Sequence, residues 1–272
     1  MGVEERLQID RREPLGLWRR QEPAPRRDPD LRQIRFEYTS RGDRVPGRVL
    51  LPPGGEGPFP LVLLQHGALG SKEAPYMLPV GAPWARAGAA VMSIDFPLHG
   101  ERSSSKLGTL LHGALGLGDP AGEAGHRVLA EFLHQAVVDL RRALDAAEEL
   151  PMLDAGRVAY AGLSLGSMVG ASFCALDPRP RAAVLALGGG GFGDSELDPV
   201  AQVGRISPRP LLFVNARHDE RVPPARAEAL HAAAGEPKQV LWFDAGHGDL
   251  PGRALKAMWT FLRQQLGVGN AG

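Results

Sequence analysis

Ser164 stands in the run Gly162-Leu-Ser-Leu-Gly166, directly after the apolar stretch Arg157-Val-Ala-Tyr-Ala161. A strand that breaks into a tight turn with a serine at its apex would push the Oγ out of the sheet edge. The flanking glycines leave room where a Cβ would clash. The following residues, 167–176, read as a buried helix whose N-terminal N–H groups and dipole favour negative charge beside that hydroxyl. The chemistry implied is nucleophilic attack, which needs a base, an acid to orient the base, and donors for an oxyanion.

Each partner has a place further along the chain. Pro210-Leu-Leu-Phe-Val-Asn-Ala216 reads as a strand, and Asp219 lies in the loop after it. Gln239-Val-Leu-Trp-Phe243 reads as another strand, with His247 in the Asp244-Ala-Gly-His-Gly248 loop that follows. Ser164, Asp219 and His247 therefore run nucleophile, acid, base, the chain order of an α/β-hydrolase. Loops after parallel strands converge on one sheet edge, so the three can meet. Leu61-Val-Leu-Leu-Gln65 is a further apolar strand, followed by His66-Gly-Ala-Leu-Gly70. The backbone N–H groups of Ala68 and Leu165 are the expected oxyanion donors, each ~3 Å from the developing O⁻. Leu69 is an alternative to Ala68.

The chain resembles a single-domain α/β-hydrolase of the esterase type, similar to the dienelactone-hydrolase-like and prolyl-oligopeptidase-like serine hydrolases. His66-Gly67, Asp95–Ser103, Gly162–Gly166, Asp219–Pro223 and Gly246-His247-Gly248 carry the resemblance, which spans residues 32–266. It implies a carboxylesterase-type serine hydrolase that needs no cofactor and acts on a small-molecule ester. The 101–126 connection is too short for a full cap domain, which points to a fairly open site and short to medium acyl chains. A peptidase or thioesterase with the same triad stays open, as does a non-catalytic ligand-binding protein on this fold. Dienelactone hydrolases proper carry cysteine where Ser164 stands, so lactone specificity does not follow. Prolyl oligopeptidases carry a propeller domain that this chain is too short to build.

The elements that must position these residues follow the same pattern. Residues 31–39 and 44–51 read as a strand pair, 77–87 as a helix, 89–94 as a strand, 127–149 as a long amphipathic helix and 181–187 as a strand. Helices at 224–234 and 250–266 complete the alternation. It implies an α/β fold with a mainly parallel central sheet and helices on both faces. Residues 31–272 are read as one hydrolase domain and 1–30 as an N-terminal arm, with Leu15, Leu17 and Trp18 able to tuck against the body. The glycine-rich connection 101–126 reads either as a short lid over the acyl pocket or as a surface excursion packing on the domain or a second subunit.

Other residues are assigned to structure. His66 is expected to order the oxyanion loop, and Asp95 with His99 to shape a turn. Gly188–Gly193 lacks the lysine and hydroxyl of a phosphate loop and is read as passing close to the site. His218 adjoins Asp219 in chain and cannot easily bridge it to Ser164, whereas Asp244 and Asp249 are alternative orienting acids. Cys174 is read as core. Hydrophobic residues make up 43% of the 272, and 31 basic residues balance 31 acidic ones. That balance gives no reason to expect nucleic acid or a membrane surface as partner. No metal-ligand spacing, secretion signal or membrane span is read, so the expectation is a cytoplasmic enzyme, with homo-oligomerisation open.

Overall fold

In the computed structural model, residues 7, 9–10, 12–193 and 195–269 are described. Nine strands form one sheet: β1 (Trp18–Glu22), β2 (Arg32–Ser40), β3 (Asp43–Leu51), β4 (Phe59–Gln65), β5 (Ala90–Ile94), β6 (Leu153–Leu163), β7 (Pro180–Ala186), β8 (Leu211–Ala216) and β9 (Lys238–Phe243). The helices are α1 (Met77–Arg86), α2 (Ser105–Ala114), α3 (Gly122–Glu148), α4 (Leu165–Leu176), α5 (Pro199–Gln202), α6 (Pro224–Ala233) and α7 (Gly252–Leu266). Strand order is β1-β2-β3-β5-β4-β6-β7-β8-β9. From β5 onward every pairing is parallel, whereas β1 to β3 join by antiparallel ladders.

Both faces of the sheet are covered, and the two-residue period of the strands divides the core. Leu61 and Leu63 point into one apolar cluster with Phe132 and Leu133 of α3 and Val169 and Phe173 of α4. Val62 and Leu64 point into the other, with Trp84 of α1 and Met258 and Leu262 of α7. Strands buried on both sides must be apolar throughout, which is why they read as continuous runs and not as alternations. Order in the sheet reverses at β4, which has β5 on one side and β6 on the other. A crevice opens at the carboxyl ends of strands at such a switch point.

The described part of the arm packs on the rest of the chain. Trp18–Glu22 pairs with β2 as an edge strand, Leu7 and Leu15 are buried, and Thr39 N–H donates to Leu15 O at 2.7 Å. Trp18, by contrast, stays exposed. Residues 1–6, 8 and 11 lie outside the described residues. The connection 101–126 is largely helical: α2 occupies Ser105–Ala114, capped by the Ser104 hydroxyl accepting from Leu107 N–H, and α3 begins at Gly122. Glycine serves close packing here, since a Cβ on Gly125 would lie 3.0 Å from Leu110 O and 2.4 Å from Ala121 Cβ.

Candidate active site

Ser164 ends the β6 segment and begins α4 with φ 54° and ψ −116°. A non-glycine residue adopts this backbone only when its surroundings enforce it. They do so through close approach of main chains. A Cβ on Gly162 would fall 2.3 Å from Gly166 O, and one on Gly166 would fall 2.7 Å from both Gln65 O and His66 O. Ser164 N–H donates to Ala186 O at 2.8 Å, tying the turn to β7. Tyr160 adds a bond from its hydroxyl to Gly166 O at 2.6 Å.

His247 Nε2 lies 2.9 Å from Ser164 Oγ, and His247 Nδ1 lies 2.8 and 2.9 Å from the two oxygens of Asp219. Imidazole and carboxylate are both buried. The same Asp219 carboxylate accepts from Arg221 N–H at 2.9 Å and Val222 N–H at 2.7 Å, so the loop after β8 fixes its orientation. Glu220 accepts from His247 N–H at 3.1 Å, which holds its carboxyl below the ordinary range and pins the histidine loop. Nothing in the spacing of the sequence marked Glu220, although it adjoins Asp219.

The remaining titratable candidates are placed elsewhere. Asp244 pairs with His218 at 2.7 Å, both side chains exposed, and Asp249 accepts from Gly246 N–H at 2.5 Å. Neither bonds to the His247 ring. Cys174 is fully buried, and burial pushes its thiol pKa up, so it stays protonated. Among the described residues no three or more His, Cys, Asp or Glu side chains are grouped to hold a metal ion.

The loop after β4 approaches the serine from the other side. A Cβ on Gly67 would stand 3.1 Å from Ser164 Cβ. Ala68 and Leu165 both line the cavity beside Ser164, as does Gly67. Leu69 is 60% exposed and does not line the cavity, which favours Ala68 over it. His66 is buried beneath the loop; its Nδ1 lies 2.8 Å from Gly67 O, and Nε2 accepts from Phe96 N–H at 3.2 Å. Burial lowers its pKa to about 4, so the ring is neutral at pH 7 and able to accept. Asp95 accepts from Lys72 N–H, Lys72 Nζ and Glu101 N–H at 2.8–3.0 Å, a buried cluster that shapes the neighbouring turn.

The cavity measures about 460 Å³. Leu115 and Leu117, between α2 and α3, form part of its lining with Met168 and Leu255. Tyr76 also lines it, and its hydroxyl accepts from Gly67 N–H at 3.0 Å. Gly190 and Gly191 border it as well, but the N–H groups of Gly191 and Phe192 donate to Asp198 at 2.9 and 2.7 Å. Those donors are therefore committed and form no phosphate cradle.

Comparison with known proteins supports the architecture. No protein-family model matches the chain. It is 31% identical over 168 residues to Esterase FrsA of Enterobacter sp. (strain 638), covering 62% of this chain and 34% of that protein. The chain thus spans about a third of that relative's length. A cold-adapted esterase from an Arctic intertidal metagenomic library superposes with TM-score 0.74 at 26% identity, covering 91% of this chain and 97% of the other. Acetyl xylan esterase from Paenibacillus sp. R4 superposes with TM-score 0.74 at 21% identity, covering 96% and 92%. With the strand order above, these likenesses give the chain the α/β-hydrolase fold.

Proposed function

We propose that this α/β-hydrolase is a serine hydrolase of carboxylic esters with short to medium acyl chains, working through an acyl-enzyme. The observation that carries the reading is the contact of Ser164 Oγ with His247 Nε2 at 2.9 Å, continued from Nδ1 to Asp219. The esterases it resembles agree with ester bonds as the target.

In the first half-reaction Ser164 Oγ attacks the ester carbonyl carbon while His247 Nε2 takes the hydroxyl proton. Asp219 holds the imidazole in the tautomer with Nδ1–H and stabilises the imidazolium. Negative charge moves to the carbonyl oxygen, where the N–H groups of Ala68 and Leu165 stabilise it, the latter helped by the α4 dipole. The C–O bond then breaks, and His247 returns the proton to the departing alcohol. Water, deprotonated by the same histidine, attacks the acyl-enzyme and releases the acid with Ser164 restored.

A cavity of about 460 Å³ lies within the range of small-molecule sites and is lined in part by Leu115 and Leu117. The reading is tested with p-nitrophenyl esters from acetyl to palmitoyl, comparing wild type with Ser164→Ala. Serine-dependent cleavage peaking at acetyl to octanoyl is expected. A palmitoyl optimum would overturn the chain-length assignment. Absence of ester cleavage, with turnover of thioesters or peptides, would transfer the triad to those leaving groups. Among the described residues no helix is long and apolar enough to cross a membrane. Cytoplasmic location and a small-molecule partner belong to the same proposal.

A further inference from the structure

Two arginines, Arg221 and Arg226, both largely exposed, are among the residues lining the cavity beside Ser164, and no Asp or Glu is among them. That is uneven for a chain whose charges cancel. A cleft of one sign between low-dielectric walls concentrates ligands of the other sign. The two arginines differ in their surroundings. Arg221 Nε has the carboxylate of Glu220 at 3.9 Å. The side chain of Arg226, at the third position of α6, has no hydrogen bond or ion pair among the described residues.

Backbone is shaped around Arg226. Gly190 N–H donates to Arg226 O at 3.2 Å. A Cβ on Gly189 would lie 2.9 Å from Arg226 Cβ and carbonyl carbon, and one on Gly191 would lie 3.0 Å from Nη1. A side chain at Gly189 would press on the α6 main chain at Arg226, and one at Gly191, where φ is 152°, would meet the end of the guanidinium. The segment is itself anchored by Asp198, which accepts from the N–H groups of Gly191 and Phe192. The Arg226 side chain is exposed, and its guanidinium stands beside Gly191 at the border of the cavity.

We infer that Arg226 is a specificity-determining residue for esters that carry a carboxylate elsewhere in the molecule. Its guanidinium presents paired N–H donors that match a carboxylate bidentately, which an ammonium does not. The inference rests on the esterase reading above and narrows its substrate class. The carboxylate enters as a spectator that orients the ester; no additional bond is made or broken.

Two ester pairs differing only in that charge provide the test. One is p-nitrophenyl hemiadipate against its methyl ester, with the charge on the acyl side. The other is 4-acetoxybenzoate against its methyl ester, with the charge on the alcohol side. Wild type should favour the charged member of at least one pair in kcat/KM, and Arg226→Gln should lower that ratio by about tenfold. Arg226→Lys should retain part of the preference, and added salt should reduce it. Because the readout is a ratio within one protein, partial misfolding does not imitate it. A wild-type ratio at or below one in both pairs, or an unchanged ratio in Arg226→Gln, overturns this inference while Ser164-dependent cleavage of the neutral esters leaves the esterase reading standing. No Ser164-dependent turnover of any of the four overturns both.

Discussion

Ser164 is held at φ 54° by neighbours that lack side chains, so the position of the proposed nucleophile depends on residues given no chemical role. Gly162→Ala places a Cβ 2.3 Å from Gly166 O, and the turn must move to accept it. We expect loss of most activity together with roughly 2 kcal/mol of stability, read by ester kinetics and by denaturant unfolding of the same sample. The choice between acids is equally testable. Asp219 meets the His247 ring, whereas Asp244 pairs with the exposed His218. Asp219→Asn should reduce kcat by about 10³–10⁴-fold, and Asp244→Asn should leave it within about twofold. The reverse ranking in steady-state kinetics would assign the wrong acid. The polar part of this site was legible because Ser164, Asp219 and His247 each follow an apolar strand at its end. Tyr76, Glu220 and Arg226 were not legible, since their importance comes from where loops fold back in space and not from any local spacing.

At the scale of elements, strand–helix alternation from β4 to α7 could be read directly, because strands buried on both faces are continuous apolar runs. Two elements without a clear sequence signal share a physical origin in tertiary packing. Trp18–Glu22 carries no apolar alternation and is a strand through backbone pairing with β2 at the sheet edge. Residues 105–114 hold Gly108 and Gly113, which lower intrinsic helix propensity. The helix forms regardless, packing against α3 with Gly125 allowing close approach at Leu110. If the segment after α2 roofs the cavity through Leu115 and Leu117, their double replacement by alanine should shift the chain-length optimum by two or more carbons toward longer esters. An unchanged optimum would remove them from the acyl site. Asp198 joins two elements, capping α5 through Val200 N–H and holding the glycine segment through Gly191 and Phe192. Asp198→Ala should cost about 2–3 kcal/mol in unfolding free energy, since it leaves three N–H groups without their acceptor.

For the whole molecule, one topological reversal at β4 brings the loops after β4, β6, β8 and β9 to a common edge, and all proposed chemistry sits there. The rest of the fold has a different sensitivity to acid. His231, on α6 between Phe213 and Trp242, is buried with its pKa lowered to about 4 by desolvation and by the charge of Lys238. A histidine whose folded pKa lies below its unfolded value of ~6.5 binds more protons when unfolded throughout the window between them. Its contribution is therefore fully present above about pH 6.5 and is lost as pH falls toward 4. Burial lowers His66 in the same sense. Thermal unfolding between pH 7.5 and 4.5 should show stability falling with acid, and His231→Phe should recover on the order of 1 kcal/mol at pH 5 relative to its own value at pH 7.5. A parallel pH dependence in wild type and variant would contradict that assignment.

The central claim is that Ser164 forms the acyl-enzyme. It is tested most directly by stopping a reaction with a slowly deacylated p-nitrophenyl ester in acid and locating the acyl group by peptide mass spectrometry. The expected result is one acyl group per chain on the peptide containing Ser164, with a matching burst of p-nitrophenolate, and neither in Ser164→Ala. Acylation of any other residue, or wild-type turnover by Ser164→Ala, would contradict the mechanism.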